Sequence, residues 1–148
     1  MTKWLLSLVT TSVLLTWPVG AALPLPDTAN AMLAAINAER QAHGARPLVL
    51  DPRLARAAAL HARDLARTGR LSHTGSDGST MGERAERAGY RWSQIAENLA
   101  DTRADTPSSV VEQWMRSAPH RKNLLGRAYR DLGVAHERRI WVIVLGRT

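Results

Sequence analysis

The side chains of this 148-residue sequence best suited to proton transfer or metal binding near neutral pH are its histidines. His73 lies in a segment of Ser, Thr, Gly and Asp that is typical of a loop, so a place in the core is not expected. His120 follows Pro119 at a predicted helix start, where the helix dipole favours the neutral imidazole that a metal ion requires. The structural alternative for each is a ring bonded to nearby backbone groups.

The other three histidines are better explained by structure than by chemistry. His61 falls on the apolar stripe of a predicted helix, where a histidine with satisfied hydrogen bonds is the simpler interpretation. His43 is expected at the C-terminal end of the first helix, where a cation suits the dipole. His136 is expected to be exposed on a strand.

Glu97 lies in a mostly uncharged segment from Trp92 to Ala100. Burying an unpaired charge is costly, so this carboxylate needs a partner. It could orient a histidine, as carboxylates do behind metal ligands, or tie a loop to backbone amides, and both roles can coexist. Asn98 has the same ambiguity, and the structural role is favoured.

Familiar catalytic motifs are missing from the sequence. There is no G-x-S-x-G elbow, no H-E-x-x-H helix and no cysteine, so no nucleophile is evident. Ser72, Ser76 and Ser79 lie near His73 along the chain, which is ordinary for such a loop. Two histidines and an acid could hold a divalent metal such as zinc, although two ligands alone predict modest affinity.

The N-terminus has the three parts of a secretory signal, predicted over residues 1–22. A basic start precedes the apolar stretch Trp4–Trp17, and small residues allow cleavage after Ala21 or Ala22. The alternative, an uncleaved anchor, is disfavoured because the stretch is shorter than the ~20 residues of a spanning helix. Residues 23–28, rich in proline, are predicted to be an extended linker. We therefore expect a secreted or periplasmic protein without a transmembrane span after cleavage.

The formal net charge is +7, and nearly all basic residues are arginines scattered along the chain. Without a dense basic block or interleaved aromatics, nucleic-acid binding is not expected. Electrostatic binding of anionic envelope polymers is a weaker alternative. An exported domain without cysteine suggests a bacterial protein, because secreted eukaryotic domains of this size usually carry disulfides. Nothing indicates an oligomer, so a monomer is expected.

Capping and stop signals divide the remaining chain into helices and strands. A first helix is predicted from about Thr28 or Asn30 to His43. The other predictions are a second helix from Asp51 and Pro52 to Gly69, a third from about Thr80 to Ala88, a fourth from Thr106 and Pro107 to about Pro119, and strands over Asp131–Glu137 and Ile140–Leu145. The last strand is apolar without alternation, which indicates cover on both faces. These elements predict an α+β fold in three α-β-α layers, with a small antiparallel sheet and about four helices.

Several blocks of the sequence together resemble the CAP (SCP-domain) family in its cysteine-free bacterial form. The blocks, spread from about Ala29 to Gly146, are Asn37-Ala-Glu-Arg40, His61-Ala62, Leu71-Ser72-His73, Ala96-Glu97-Asn98-Leu99, Pro119-His120 and Leu132-Gly133-Val134. Their order and spacing carry the resemblance more than any one of them. Residues 29–148 are therefore predicted to be one CAP domain.

The resemblance implies a surface cleft lined by two histidines and acidic residues, which correspond to His73, Glu97 and His120. Ala96 replaces the family's usual glycine before Glu97. The family's second acid has no counterpart after Trp114. Glu83 or Asp77 could replace it.

Two functions remain open from the sequence. The first is an extracytoplasmic binding module whose cleft holds a lipid, a peptide or an envelope component, with a divalent metal at His73 and His120 as the one cofactor considered. The second is a hydrolase, for example a peptidase, that uses these histidines and Glu97 directly or through a metal-bound water. Whether the protein is an enzyme is thus left undecided.

Overall fold

A computed structural model describes residues 27–104 and 106–148, so the predicted signal peptide lies outside the described residues. These residues form five helices and four strands in the order α1 Asp27–Ala42, β1 Val49–Leu50, α2 Pro52–Thr68, α3 Met81–Arg87, β2 Gln94–Asp101, α4 Pro107–Met115, α5 Ala118–Leu124, β3 Asp131–Glu137 and β4 Ile140–Arg147. Asp27 and Thr28, which were predicted to belong to the extended linker, are part of α1, and residues 23–26 of that linker lie outside the described residues. No helix in the described part combines the length and the apolar character needed to cross a membrane.

The helix starts follow the capping chemistry that the sequence predicts. The Asp51 side chain accepts hydrogen bonds from the amides of Arg53 and Leu54, and Pro52 opens α2. Gly69 closes α2 in the left-handed conformation. Helix α3 begins with a capping box between Thr80 and Glu83. Local signals therefore fix the ends of the two helices that lie on one side of the sheet.

Four strands form one sheet in the order β1-β3-β4-β2. The β3–β4 hairpin is antiparallel as predicted, and β2 pairs antiparallel with β4. The sheet is mixed rather than wholly antiparallel, because β1 pairs parallel with β3. Parallel pairing needs a long crossover, which the chain from α2 to α5 supplies.

Helices cover both faces of the sheet. Helices α1, α4 and α5 pack on one face, and α2 and α3 pack on the other. The apolar run of β4 serves both layers, since Trp141, Ile143 and Leu145 join the first cluster while Ile140, Val142 and Val144 join the second. The predicted three-layer fold is confirmed. Gly133 lets α2 approach β3, because a side chain there would collide with the Leu54 backbone.

The fifth helix arises at a proline. The sequence predicts about four helices, with Pro119 interrupting the fourth and a further turn after it. Helix α4 ends at Met115, and α5 starts at Ala118 with Pro119 in its first turn. Proline is tolerated there because first-turn amides lack an intrahelical acceptor.

Candidate functional site

Strand β2 sends its polar residues to opposite faces of the sheet. Ala96 and Ala100 belong to the core beneath α1 and α4, whereas Leu99 belongs to the core beneath α2. Because side chains alternate along a strand, Glu97 lies on the α2–α3 face and Asn98 on the α5 face. Both are buried, with Glu97 only 2% exposed. Strand β2 could not be assigned from the sequence, because two buried polar residues interrupt its apolar pattern.

Both oxygens of the Glu97 carboxylate are engaged. Oε1 lies 2.9 Å from Nδ1 of His73, and Oε2 accepts a 2.8 Å hydrogen bond from Arg84. Nε2 of His61 lies 3.8 Å from Oε1. The buried acid that the uncharged segment predicted therefore has a cation on one side and a histidine on the other.

His73 joins this buried acid to the surface. Its side chain is 52% exposed, whereas that of Glu97 is fully buried. An ionised carboxylate can only accept, so Nδ1 of His73 is the donor, and Nε2 has no hydrogen-bond partner in the part of the chain that the structure describes. The hydrogen bond to Glu97 raises the pKa of His73, and partial burial opposes that rise. His73 can thus present one free ring nitrogen in a fixed orientation.

His120 is the third residue of α5 and is partly buried. Burial lowers its pKa, and the nearby charge of His73 lowers it further. The sequence predicted this direction from the helix dipole. The carbonyl of His120 accepts a 3.1 Å hydrogen bond from Asn98, whose own oxygen accepts from Asn123 at 2.8 Å. Asn98 therefore ties α5 to β2, which is the structural role favoured for it.

His61 occupies the buried position that its apolar stripe predicted, but it is not fully satisfied. Its Nε2 donates to the carbonyl of Ser72 at 2.9 Å. Its Nδ1 is buried without a hydrogen-bond partner in the part of the chain that the structure describes. Burial is the main reason that its pKa is lowered. His61 thus stays neutral and holds the residue directly before His73.

Arg84 is a partner of Glu97 that no pattern in the sequence indicates. It lies on α3 with its side chain 8% exposed, and it donates to Glu97 and to the carbonyls of His73 and Ser79. An arginine inside a short charged helix gives no sequence signal of burial. Only the tertiary pairing of α3 with β2 makes it part of the site.

Glu83 and Asp77, the candidate replacements for the second acid, serve local structure. The Glu83 carboxylate accepts from the amide and hydroxyl of Thr80, and these hydrogen bonds lower its pKa. Asp77 accepts from the Ser79 amide and pairs with exposed Arg87, and its pKa is also lowered. In residues 27–104 and 106–148, no hydrogen bond joins either acid to His73, Glu97 or His120.

A pocket of about 300 Å³ lies between α2, α3 and the loop that joins them. Its wall includes His61 and Arg84 but not the half-exposed His73. The full lining is Leu60, His61, Asp64, Gly75, Ser76, Asp77, Ser79, Arg84 and Arg87. The buried partners of Glu97 therefore border a second concave surface.

The remaining histidines lie elsewhere, as predicted. His43 follows α1 and its ring contacts the carbonyl of Glu39 at 2.8 Å. His136 is exposed on β3 and stacks on the ring of Trp141, with 3.9 Å between ring centroids.

Comparison with known proteins identifies the family of the domain. Residues 33–139 match the sequence profile of the CAP family, described as the cysteine-rich secretory protein family. The Bacillus subtilis protein YkwD is 31% identical over 68% of this chain, and the Bacillus subtilis membrane protein YlbC is 32% identical over 71% of it. The matched regions cover only 38% and 30% of those two relatives.

Solved structures agree with the fold. An extracellular protein containing an SCP domain from Bacillus anthracis superposes with a TM-score of 0.77 at 25% identity, over 80% of this chain and 40% of that one. An outer surface protein of Borrelia burgdorferi superposes with a TM-score of 0.75 at 20% identity, over 82% of this chain and 93% of that one.

Proposed function

Because the chain belongs to the cysteine-rich secretory protein (CAP) family, we propose that it is an extracytoplasmic binding module whose cleft is formed by His73, Glu97 and His120. The ligand would be a lipid, a peptide or a component of the cell envelope. One observation carries the proposal: buried Glu97 bonds Nδ1 of half-exposed His73 and leaves Nε2 free.

The cost of burying Glu97 supports a role beyond packing. Removing a carboxylate from water costs several kcal/mol, and partners inside the protein must offset that cost. Arg84 supplies one buried partner, yet the other oxygen contacts a ring that is half exposed. The arrangement suits a histidine that is kept in one orientation to meet a ligand.

The expected location also has support. The structural relatives from Bacillus anthracis and Borrelia burgdorferi are described as extracellular and as an outer surface protein. The apolar segment after the basic start of this chain is the matching sequence feature. We therefore propose export through the signal peptide at residues 1–22.

A divalent metal fits the donor set in part. A zinc-binding histidine usually donates a hydrogen bond from one ring N–H to a carboxylate or carbonyl and binds the metal with its other ring nitrogen. Neutral His120 is the second candidate ligand. Across the described ranges no group of three or more His, Asp or Glu is arranged to hold a metal. The proposed site thus has two protein ligands, His73 and His120, and the bound molecule or water would complete it.

The hydrolase alternative rests on the same His73–Glu97 pair, since a base with an orienting acid is the core of general acid–base catalysis. The nearby serines favour binding over catalysis. The Ser72 hydroxyl accepts from the amide of Thr74, and the Ser76 hydroxyl donates to Asp64. Neither hydroxyl is bonded to His73. A hydrolase would therefore depend on an activated water.

Zinc titration by calorimetry tests the site. The wild-type protein is compared with a His73→Ala/His120→Ala double variant and with a matched His43→Ala/His136→Ala variant, which removes two histidines outside the cleft. We expect binding in the wild type and the matched control, and loss of it in the cleft variant. Equal binding by all three proteins would contradict the site, and no binding by the wild type would remove the metal from the proposal.

A screen of peptide and ester substrates separates the two functions. A binding module turns over none of them. Turnover that disappears in His73→Ala would establish the hydrolase instead.

A further inference from the structure

Arg84 is hydrogen-bonded both to Glu97 and to the loop that carries His73. Its Nη2 donates to Oε2 of Glu97 at 2.8 Å and to the carbonyl of His73 at 3.1 Å. The other nitrogen of the fork, Nη1, donates to the carbonyl of Ser79 at 2.8 Å. The guanidinium therefore holds the loop at both ends and holds the acid that the loop histidine contacts.

These bonds form a closed ring through His73. Its side chain donates to Oε1 of Glu97, the other oxygen of Glu97 accepts from Arg84, and Arg84 returns to the His73 carbonyl. A planar guanidinium with several fixed donors suits such a ring better than a flexible ammonium does. A large shift of the His73 backbone or ring would therefore lengthen or break one of these bonds.

The short helix α3 is itself held in place. The capping box between Thr80 and Glu83 fixes its first turn, and Arg84 follows at the next position. On the other side of the loop, His61 donates to the carbonyl of Ser72. Residues from two helices thus hold the backbone on either side of His73, and of these two Arg84 is the one that also donates a hydrogen bond to the Glu97 carboxylate.

We propose that Arg84 is a positioning residue that aims the free nitrogen of His73 into the cleft, by holding Glu97 and the His73 backbone together. The effect of Arg84 on ligand or metal binding rests on the proposed function. Its effect on the orientation of the His73 ring does not. If Arg84 is lost, Oε2 of Glu97 has no partner and the loop from His73 to Ser79 is released. His73 then loses its fixed contact with Oε1, and the free nitrogen is no longer held in one orientation.

Three variants test the proposal: Arg84→Met, Arg84→Lys and the matched control Arg87→Met. Arg87 lies on the same helix, is exposed and pairs with Asp77 rather than Glu97. Two readouts are made on each purified protein. Long-range ¹H–¹⁵N correlation spectra report which ring nitrogen of His73 carries the proton, and calorimetry reports zinc affinity.

At a pH above the pKa of His73, we expect a single neutral ring form protonated on Nδ1 in the wild type and in Arg87→Met. Arg84→Met should show a mixture of ring forms and a zinc affinity lower by about tenfold or more, the usual effect of removing a group behind a metal ligand. Arg84→Lys should restore part of both properties. If Arg84→Met does not fold, Arg84→Lys must show the intermediate behaviour.

An unchanged His73 spectrum in a folded Arg84 variant would overturn the proposal, as would the same loss in Arg87→Met. The spectrum decides this even if the wild type binds no zinc. Absence of zinc binding would count against the proposed metal site, whereas the role of Arg84 depends on the His73 ring.

Discussion

Two arginines on opposite sides of the sheet are buried, and their guanidinium groups have different kinds of hydrogen-bond partner. Arg40 on α1 is fully buried and donates to the carbonyls of Arg46, Leu124 and Gly126, at 2.7, 2.6 and 3.1 Å. Among the described residues it has no carboxylate partner. Arg84 is nearly as buried, yet it pairs with Glu97, which in turn holds His73.

The difference distinguishes a structural cluster around Arg40 from the proposed binding site around Arg84. Arg40 closes the end of α1 against the turn after α5, and burial lowers its pKa. Its contacts end at backbone carbonyls. The contacts of Arg84 continue through a shared carboxylate to a half-exposed ring. A buried charge that leads to a surface histidine is the arrangement expected behind a binding residue.

The largest loss of stability should come from neutralising the Glu97 carboxylate, which Arg84 and His73 both contact. Glu97→Gln leaves Arg84 buried without a counter-charge, which typically costs about 3–5 kcal/mol of the free energy of unfolding. Urea denaturation measures this loss. Glu83→Gln is the control, because Glu83 is an exposed cap residue, and its effect should be much smaller. Equal losses in the two variants would show that Glu97 is not the shared partner.

Arg40→Met should have the next largest effect. It leaves the carbonyls of Arg46, Leu124 and Gly126 without their donor, and we expect a loss of about 2–4 kcal/mol in the same denaturation experiment. The ring spectrum of His73 should not change. A shift of that spectrum in Arg40→Met would show that the two arginines are not independent.

The smallest effect concerns the pH dependence of stability. Because Glu97 raises the pKa of His73, the folded protein binds this proton more tightly than the unfolded chain does. The stabilisation is complete below the unfolded pKa of about 6.5 and is lost as pH rises through the folded pKa. The stability difference between wild type and His73→Ala should therefore be larger at about pH 5.5 than at about pH 8.5. The reverse trend would contradict the ion pair. His61, whose pKa is lowered, is present in both proteins and largely cancels.

Most of the fold follows from local signals in the sequence. Asp51, Pro52 and Gly69 define α2 almost to the residue, and the apolar run of β4 predicts a strand covered on both faces. Strand β2 escaped assignment because Glu97 and Asn98 are buried polar residues whose partners come from distant segments. Their burial makes sense only once those partners are in place.

The site was predictable only in part, because its buried polar residues also depend on partners from distant segments. Glu97 could be expected to have a partner, because an unpaired buried charge is costly. The identity of that partner could not be predicted, since Arg84 looks like any other arginine on a short polar helix. Nδ1 of His61, which has no partner among the described residues, also depends on packing that no local pattern encodes.

The most direct test of the account is an NMR pH titration of the His73 ring in the wild-type protein. If buried Glu97 holds Nδ1, the pKa of His73 lies above the ordinary value of about 6.5, and the neutral ring keeps its proton on Nδ1. A pKa at or below the ordinary value, with the proton on Nε2, would mean that the Glu97–His73 pair does not form and that the cleft is not built as described.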